Sequence, residues 1–224
     1  MTIEPTKSAD VSLTADYFER VYANDPDPWR FETSAYEHAK YARTLAALPR
    51  TSYACGLEIG CSIGVLTEQL APRCANLVAL DVNASALERA RRRCARFPQI
   101  DFVQMRLPDE RPAGLFDLIL VSEVGYYWSR ADLTRAGVWM LQALRPVGSL
   151  VLVHWTDPVP DYPLTGDQVH EHFIGLAEGG ALRHRHGETH PRYRLDVFEA
   201  STAATAATAG STARPGRSAR LAAS

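Results

Sequence analysis

The sequence is poor in cysteine and has no close cysteine pair. It contains 4 cysteines in 224 residues, and no two of them stand two or three positions apart. Zinc knuckles and thioredoxin-type redox motifs require that spacing, and a disulfide framework requires a higher cysteine density. Most of these cysteines lie in or beside apolar stretches, so we expect reduced, buried thiols.

The sequence also has no long apolar run and no strong excess of charge. No stretch reaches the roughly 18 apolar residues that span a bilayer, and residues 1–10 lack the apolar core of a signal peptide. The formal net charge of −2 gives no electrostatic reason to expect a nucleic acid or an anionic membrane as partner. We therefore expect a soluble, cytoplasmic protein with a small-molecule partner, no nucleic acid and no membrane.

The histidines do not form a recognisable metal motif. His184, His186 and His190 lie close together, and His170 and His172 precede them. His170 and His172 cannot share one face of a helix, and no carboxylate–histidine signature accompanies the group. We predict no metal site.

What the sequence does contain is a regular alternation of short apolar runs and helical segments. The runs predict strands at Tyr53–Ile59, Leu77–Asp81, Ile100–Met105, Phe116–Ser122, Ser149–His154, Leu182–His186 and Tyr193–Glu199. Helices fit between them at Ile63–Ala71, Ala84–Phe97, Ala131–Leu144 and Asp167–Glu178. This alternation predicts an α/β fold with a Rossmann-like, doubly wound, mainly parallel seven-stranded sheet. No helix separates the last two strands, which would form a hairpin and add one antiparallel strand.

We predict three parts along the sequence. Residues 1–50 have the apolar spacing of two helices, from about Val11 to Tyr22 and from about Ser34 to Leu48, and we expect a helical cap or lid there. Residues 51–200 form the α/β core. Residues 201–224 are almost all Ala, Thr, Ser, Gly and Arg, with no acid and no aromatic residue, and we expect a disordered tail.

The first predicted strand runs into a turn that contains glycines. In Leu57-Glu-Ile-Gly-Cys-Ser-Ile-Gly64 the strand ends in an acid, and the second glycine stands where a helix begins. Ligands of open α/β sheets bind at the carboxyl ends of the strands, where glycine lets the backbone approach closely. The spacing matches neither the dinucleotide fingerprint nor a P-loop. An acid here would repel a pyrophosphate and suits a cationic ligand; the alternative is a tight turn without a ligand.

An acid also ends the second predicted strand. Asp81 follows Gly64 by 17 residues, about where an acid accepts hydrogen bonds from both hydroxyls of an adenosyl ribose. The alternative role for Asp81 is a cap on the following helix. The strand Phe116–Ser122 then opens into a polar and aromatic cluster that includes Glu123 and Tyr126. We therefore expect a ligand site at this edge of the sheet.

These segments occur in the order of the class I S-adenosylmethionine (SAM)-dependent methyltransferase motifs across residues 53–154, and the sequence resembles that superfamily. Within it, the sequence resembles the NodS family over about residues 15–155. The segments that carry this resemblance are Asp27-Pro-Trp-Arg30, Tyr36-Glu37, Leu57-Glu-Ile-Gly60, Leu70-Ala-Pro72 and Ser122-Glu-Val-Gly-Tyr-Tyr127. The resemblance implies SAM as methyl donor. It also implies N-methylation of an amine on a chitin-like oligosaccharide or another small sugar-like acceptor.

The resemblance further implies roles for individual residues. Glu58 would lie near the amino-acid end of SAM, Asp81 at the ribose and Val82 on one adenine face. The full set of expected cofactor-binding residues is Trp29, Arg30, Tyr36, Glu58, Gly60, Ser62, Gly64, Asp81, Val82, Arg106, Leu107 and Ser122. Arg106 departs from the family pattern, because many relatives have there an aspartate for the adenine amino group and arginine offers no acceptor.

Three residues are candidates for removing a proton from the acceptor or for orienting it: Glu123, Tyr126 and His154. An amine must be deprotonated before its nitrogen can attack a methyl group. We expect Glu123 to take this role first, while a structural role explains His154 equally well. Two alternatives remain at this stage. The acceptor is a different small molecule with a reactive nitrogen or oxygen, or the protein binds SAM as a regulator without catalysis.

Overall fold

The computed structural model describes residues 10–201. Residues 1–9 lie outside this range, as does the predicted tail after Ser201. Within it, no helix has both the length and the apolar character needed to cross a membrane.

The core of the described region is a seven-stranded sheet. Its strands are β1 (Gly56–Ile59), β2 (Leu77–Asp81), β3 (Ile100–Gln104), β4 (Phe116–Ser122), β5 (Leu144–Trp155), β6 (Leu182–Thr189) and β7 (Tyr193–Ala200). The spatial order is β3-β2-β1-β4-β5-β7-β6, and β7 runs antiparallel to both of its neighbours while the other pairs are parallel. The predicted Rossmann-like sheet with one antiparallel strand is confirmed.

Six α-helices accompany the sheet between residues 10 and 201. They are α1 (Ala15–Asn24), α2 (Ala35–Ala47), α3 (Val65–Leu70), α4 (Ala84–Arg93), α5 (Arg130–Ala143) and α6 (Gly166–Glu178). Side chains that accept from backbone N–H groups in the first turn begin several of them: Ser34 for α2, Asn83 for α4 and Ser129 for α5. Thr165 and Gln168 form a capping box at α6. Such caps satisfy amides that have no partner inside the helix.

Strand β4 shows how the sheet is covered on both faces. All of its residues are buried, and alternate side chains point to opposite faces. Leu118 and Leu120 join a hydrophobic cluster that includes residues of α2 and α3. Ile119 and Val121 join a second cluster that includes residues of α5 and α6. Three of the four free cysteines are buried, as expected, while Cys55 is half-buried.

Two strands begin at a residue other than the predicted one, and β6 extends three residues past the predicted His186 to Thr189. Strand β1 begins at Gly56 rather than Tyr53, because the carboxylate of Asp117 accepts hydrogen bonds from the N–H groups of Ala54 and Cys55 at 2.8 Å each. Those amides are therefore unavailable to a neighbouring strand. Strand β5 begins at Leu144, five residues before the predicted Ser149, because Leu144 already pairs with Phe116 across a bulge.

The N-terminal helices lie over the carboxyl edge of the sheet. The N–H of Leu13 donates to the carbonyl oxygen of Tyr127 at 2.8 Å, and the Phe18 ring packs edge-on against the Tyr127 ring. The Tyr22 hydroxyl, on α1, bonds to the Ser62 hydroxyl at 2.5 Å. These contacts bring α1 over the strand ends where the sequence predicts a ligand, and Lys40 of α2 reaches the same edge by bonding to Glu123.

Candidate active site

A cavity of about 420 Å³ opens at the carboxyl ends of β1, β2 and β4 and is covered by α1 and α2. Most of the predicted site residues line it. They are Trp29, Glu58, Gly60, Ser62, Asp81, Val82, Arg106, Leu107, Ser122, Glu123 and Tyr126. The cavity is therefore enclosed by the strand ends, the loop after β1 and the covering helices.

The turn after β1 depends on glycine at two positions for different reasons. Gly60 has φ +78°, and a Cβ placed there would lie 2.0 Å from Cγ2 of Val124. Gly64 has φ +80°, and a Cβ there would lie 2.9 Å from the backbone of Ala90 on α4. Gly60 keeps the cavity wall open next to the end of β4. Gly64 lies away from the cavity and allows α3 to pack closely on α4.

Asp81 both shapes the turn and faces the cavity. Its Oδ2 accepts the N–H of Ser62 at 2.8 Å, and its Oδ1 accepts the N–H of Asn83 at 2.9 Å. Burial raises the pKa of Asp81, while these backbone donors oppose the rise. The carboxylate thus connects the ends of β1 and β2 and keeps acceptor capacity for a ligand.

Glu58 is the most deeply placed acid of the cavity wall. It is 2% exposed, and its Oε2 has no hydrogen-bond partner among residues 10–201. Burial raises the pKa of Glu58 to about 7. A buried acceptor without a donor is costly, and a cationic ligand that donates to Oε2 would remove that cost.

Glu123 follows β4 and is held by donors from three parts of the fold. It has φ +59°, a left-handed conformation that costs free energy for a residue with a side chain. Its Oε1 accepts from Lys40 Nζ at 2.5 Å. Its Oε2 accepts from the Tyr126 hydroxyl at 2.5 Å and from the backbone N–H of Trp155 at 2.9 Å. The carboxylate is thereby fixed in the cavity wall.

Sequence reasoning missed Lys40 and Glu37, which line the same cavity from α2. Lys40 is 2% exposed and bonds to both Glu37 and Glu123. Burial opposes its charge, but the two carboxylates raise the pKa of Lys40 overall. The helical spacing of α2 contained a signal for these two residues. Glu37 and Lys40 lie on the same helix face as Tyr41 and Thr44, which is the face that packs on the core. Charged residues on such a face indicate a functional site.

Four predicted residues lie elsewhere. The Arg30 side chain is 66% exposed and pairs with Asp25, and Gly64 packs against α4. Tyr36 packs edge-on against Trp155 behind the cavity. His154 is fully buried behind the wall and accepts the N–H of Gly125. The cavity brings together the remaining predicted residues and leaves these four outside.

Aromatic residues form the end of the cavity next to Glu123. The Tyr126 and Tyr162 rings stack with centroids 5.0 Å apart, and both rings contact Tyr127. Tyr162 lies in the loop between β5 and α6, a segment to which the sequence alone assigns no role. Flat aromatic surfaces of this kind suit the apolar face of a sugar or of another ring.

The Asp27-Pro-Trp-Arg30 segment has a structural explanation. The Asp27 carboxylate accepts the N–H groups of Phe31 at 2.8 Å and Glu32 at 3.0 Å, which closes the turn between α1 and α2. The Trp29 ring then stacks on the Phe31 ring with centroids 5.6 Å apart. The turn presents Trp29 to the cavity.

The strand order, the antiparallel β7 and the acids at the ends of β1 and β2 are those of the class I SAM-dependent methyltransferase fold. Residues 14–159 match the family model of Nodulation protein S (NodS), and the protein belongs to the NodS family. The resemblance found in the sequence is therefore confirmed.

Curated relatives agree with this assignment. Nodulation protein S of Bradyrhizobium diazoefficiens is 43% identical over 110 residues, which cover 49% of this protein and 52% of the relative. Nodulation protein S of Rhizobium tropici is 38% identical over 127 residues, which cover 56% of this protein and 53% of the relative. The protein thus matches about half the length of these relatives.

A solved structure extends the match. The N-methyltransferase NodS from Bradyrhizobium japonicum WM9, in complex with S-adenosyl-L-homocysteine (SAH), superposes with a TM-score of 0.74 at 29% identity. The match covers 83% of this protein and 97% of the solved chain. That relative binds the demethylated form of SAM on the same fold.

Proposed function

We propose that this protein transfers a methyl group from SAM to the nitrogen of an amine acceptor, and that the acceptor is an amino sugar of a deacetylated chitin-like oligosaccharide. Membership of the NodS family and the SAH-bound N-methyltransferase relative support the donor and the reaction. The sequence resemblance supports the acceptor.

One observation carries the donor assignment: Glu58, a buried acid whose Oε2 has no hydrogen-bond partner among residues 10–201, lines the same cavity as Asp81. The SAM ammonium would donate to Glu58, and the ribose hydroxyls would donate to Asp81. Gly60 also lines the cavity and leaves no space for a side chain, because a Cβ there would lie 2.0 Å from Cγ2 of Val124. SAM, when bound, supplies a methyl group activated by a positively charged sulfur.

Glu123 is the residue that would receive the acceptor amine. A carboxylate has about four lone-pair positions, and three donors already bond to Glu123, with Lys40 alone on Oε1. The position that remains on Oε1 accepts an N–H of the acceptor. Glu123 would orient the nitrogen, take up its proton, and stabilise the positive charge that develops on nitrogen during transfer.

The rest of the cavity would position the reactants. Orientation of two bound reactants contributes roughly 7–11 kcal/mol to lowering such a barrier. The stacked Tyr126 and Tyr162 rings, next to Glu123, offer a surface for the acceptor sugar. The covering helices α1 and α2 exclude water from the reacting groups.

Two measurements test the proposal. Isothermal titration with SAM and SAH measures donor binding. Transfer of a labelled methyl group is then measured to deacetylated chitin oligosaccharides, with fully acetylated oligosaccharides of equal length as matched controls, and to a panel of other amines and hydroxyl acceptors. We expect label only on acceptors with a free amine, and most on the oligosaccharide.

Other outcomes identify other functions. Label on hydroxyl acceptors would contradict nitrogen as the target. Label on simple amines but not on the oligosaccharide would contradict the sugar acceptor. Tight SAH binding without transfer to any acceptor would indicate a SAM-binding regulator.

A further inference from the structure

A series of buried hydrogen bonds connects the loop that carries Glu123 to α6 and β7. The N–H of Gly125 donates to Nε2 of His154 at 3.1 Å. Nδ1 of His154 lies 3.1 Å from Nε2 of His170, and Nδ1 of His170 lies 2.6 Å from Oδ2 of Asp196. We call Gly125, His154, His170 and Asp196 the histidine network.

The direction of every bond in the network follows from its first donor. A backbone N–H can only donate, so Nε2 of His154 accepts and carries no proton. A neutral imidazole has one N–H, which His154 must therefore carry on Nδ1 and donate to His170. His170 accepts on Nε2 for the same reason and donates from Nδ1 to Asp196. Each ring thus has one defined tautomer.

The charge state of the network is consistent with this direction. Burial, together with the neighbouring His170 ring, holds the pKa of His154 well below its ordinary value. Burial also lowers the pKa of His170, although Asp196 opposes that change. Asp196 remains a carboxylate, because donors from His170, His184 and Arg194 surround it. The two rings are neutral and the anion lies at the end of the series.

Close packing places the members of the network on four different elements. His154 is on β5, His170 on α6 and Asp196 on β7, while Gly125 begins the short 3-10 helix Gly125–Tyr127 after β4. A Cβ on Gly166 would lie 2.1 Å from the carbonyl oxygen of Trp155, so only glycine lets α6 come this near β5. His170 follows Gly166 by four residues and lies on the same helix face.

We propose that His154 and His170 are positioning residues that hold the Glu123 loop in its strained conformation. This inference rests on the proposed function, because Glu123 is the residue whose position it explains. The loop has Glu123 at φ +59°, and its next hydrogen-bonded amide is that of Gly125. The Tyr126 ring, which donates to Glu123, also packs edge-on against the His154 ring at 5.4 Å. His154 therefore contacts two consecutive residues, Gly125 and Tyr126, that follow Glu123 in the loop.

The network holds the loop in place and does not transfer a proton. It ends on a backbone amide, which keeps its proton, and His154 is fully buried and does not line the cavity. His154 is thereby a positioning residue and not the base.

The tautomers are measured directly on the full-length protein labelled with ¹⁵N-histidine. Two-bond ¹H–¹⁵N spectra distinguish a ring protonated on Nδ1 from a ring protonated on Nε2, and the variants His154→Gln and His170→Gln assign the signals. We expect both rings to be neutral and protonated on Nδ1. An Nε2–H tautomer or an imidazolium at His154 would overturn the inference, whether or not the protein transfers methyl groups.

The positioning role is tested with His170→Leu, which cuts the network, and His172→Leu, a control on the same helix whose ring packs toward Gly137 of α5. Circular dichroism and SAH titration establish that each variant is folded. We expect His170→Leu to speed hydrogen exchange at the Gly125 amide and to lower kcat about 10- to 100-fold, since misplacement by about 1 Å costs as much. The KM for SAM should stay within about twofold.

His170→Gln, which keeps a polar group in the ring's place, should recover part of the lost kcat. The inference is overturned if His170→Leu leaves the Gly125 exchange rate and kcat unchanged, or if His172→Leu lowers kcat equally. If the wild-type protein transfers no methyl group, the proposed function fails, and the tautomers and the exchange rates still decide the existence of the network.

Discussion

The ammonium of Lys40 on α2 bonds to the carboxylate of Glu123 at the end of β4, with Nζ and Oε1 2.5 Å apart. The two residues are separated by 83 positions in the sequence. The bond joins the helix that covers the cavity to the loop that carries Glu123, the carboxylate proposed to take up the acceptor's proton. Glu37 completes the group by bonding to the same ammonium.

We predict that Lys40→Met destabilises the protein strongly. The substitution leaves the carboxylates of Glu37 and Glu123 buried without their cation, and breaking a buried pair in this way costs about 3–5 kcal/mol. Urea unfolding measures the loss. The double variant Lys40→Met with Glu37→Gln should recover part of the free energy of unfolding, because it removes one uncompensated charge. Equal stability of wild-type and Lys40→Met would show that the group is not formed.

We predict that Glu123→Gln lowers turnover and leaves donor binding intact. Glutamine keeps the shape of the side chain but cannot take up the proton of the acceptor, a contribution of about 10²- to 10⁴-fold in rate. Single-turnover methyl transfer measures the rate, and SAH titration measures binding. Tyr126→Phe, which removes one donor to Glu123 and keeps its carboxylate, should cause a smaller loss. A Glu123→Gln variant with normal turnover would exclude Glu123 as the proton acceptor.

The buried Glu58 should make stability depend on pH. Burial raises its pKa from the ordinary 4.5 to about 7 in the folded protein, so between these pH values Glu58 binds more protons in the folded state than in the unfolded state. The free energy of unfolding therefore falls as pH rises through this window, by about 3 kcal/mol for a shift of this size.

Glu58→Gln lacks this titration, so its free energy of unfolding should fall by about 3 kcal/mol less than that of the wild-type over the same window. Urea unfolding of both proteins at several pH values gives the comparison. SAH affinity of the wild-type should rise with pH near 7, because the ionised carboxylate binds the ammonium. Parallel stability profiles for wild-type and Glu58→Gln would refute the raised pKa.

We predict that Gly60→Ala damages the cavity wall more than its backbone strain alone would. Alanine at positive φ costs about 1–2 kcal/mol, and the new Cβ would also lie 2.0 Å from Val124 Cγ2. Gly180→Ala is the matched control, because Gly180 has φ +81° and no neighbouring atom within 4 Å. Thermal unfolding and SAH titration compare the two.

The double variant Gly60→Ala with Val124→Ala should recover the part of the loss that is due to the collision. Identical effects of Gly60→Ala and Gly180→Ala would mean that the contact with Val124 has no consequence.

The sequence predicted the bounds of a strand correctly where most of the strand is apolar. The bounds of β2 and β4 match the expected Leu77–Asp81 and Phe116–Ser122, because both strands lie inside a covered sheet and end in polar residues. The local sequence pattern did not predict where β1 begins. The N–H groups of Ala54 and Cys55 donate to Asp117, which lies more than sixty positions further along the sequence. A side chain distant in sequence decides that boundary.

The sequence predicted the acidic residues of the cavity but not Lys40, its buried cation. Glu58, Asp81 and Glu123 each follow a recognisable strand, so their common edge follows from the topology. Lys40 reaches Glu123 only because α2 folds over that edge, and no local pattern states where a helix will pack. The same holds for His154: its strand was predicted, but its bond to the Gly125 amide depends on the conformation of the segment between β4 and α5.

The central claim is that the acids at the ends of β1 and β2 bind SAM, and SAH titration of wild-type and Asp81→Ala tests it most directly. Asp81 would accept from the ribose hydroxyls, and each hydrogen bond to a charged group contributes about 1.5–3 kcal/mol. Asp101→Ala, at an exposed acid on β3, is the control. We expect wild-type and Asp101→Ala to bind SAH equally and Asp81→Ala to bind at least about tenfold more weakly. Folded wild-type protein without affinity for SAH, or Asp81→Ala with unchanged affinity, would contradict the claim.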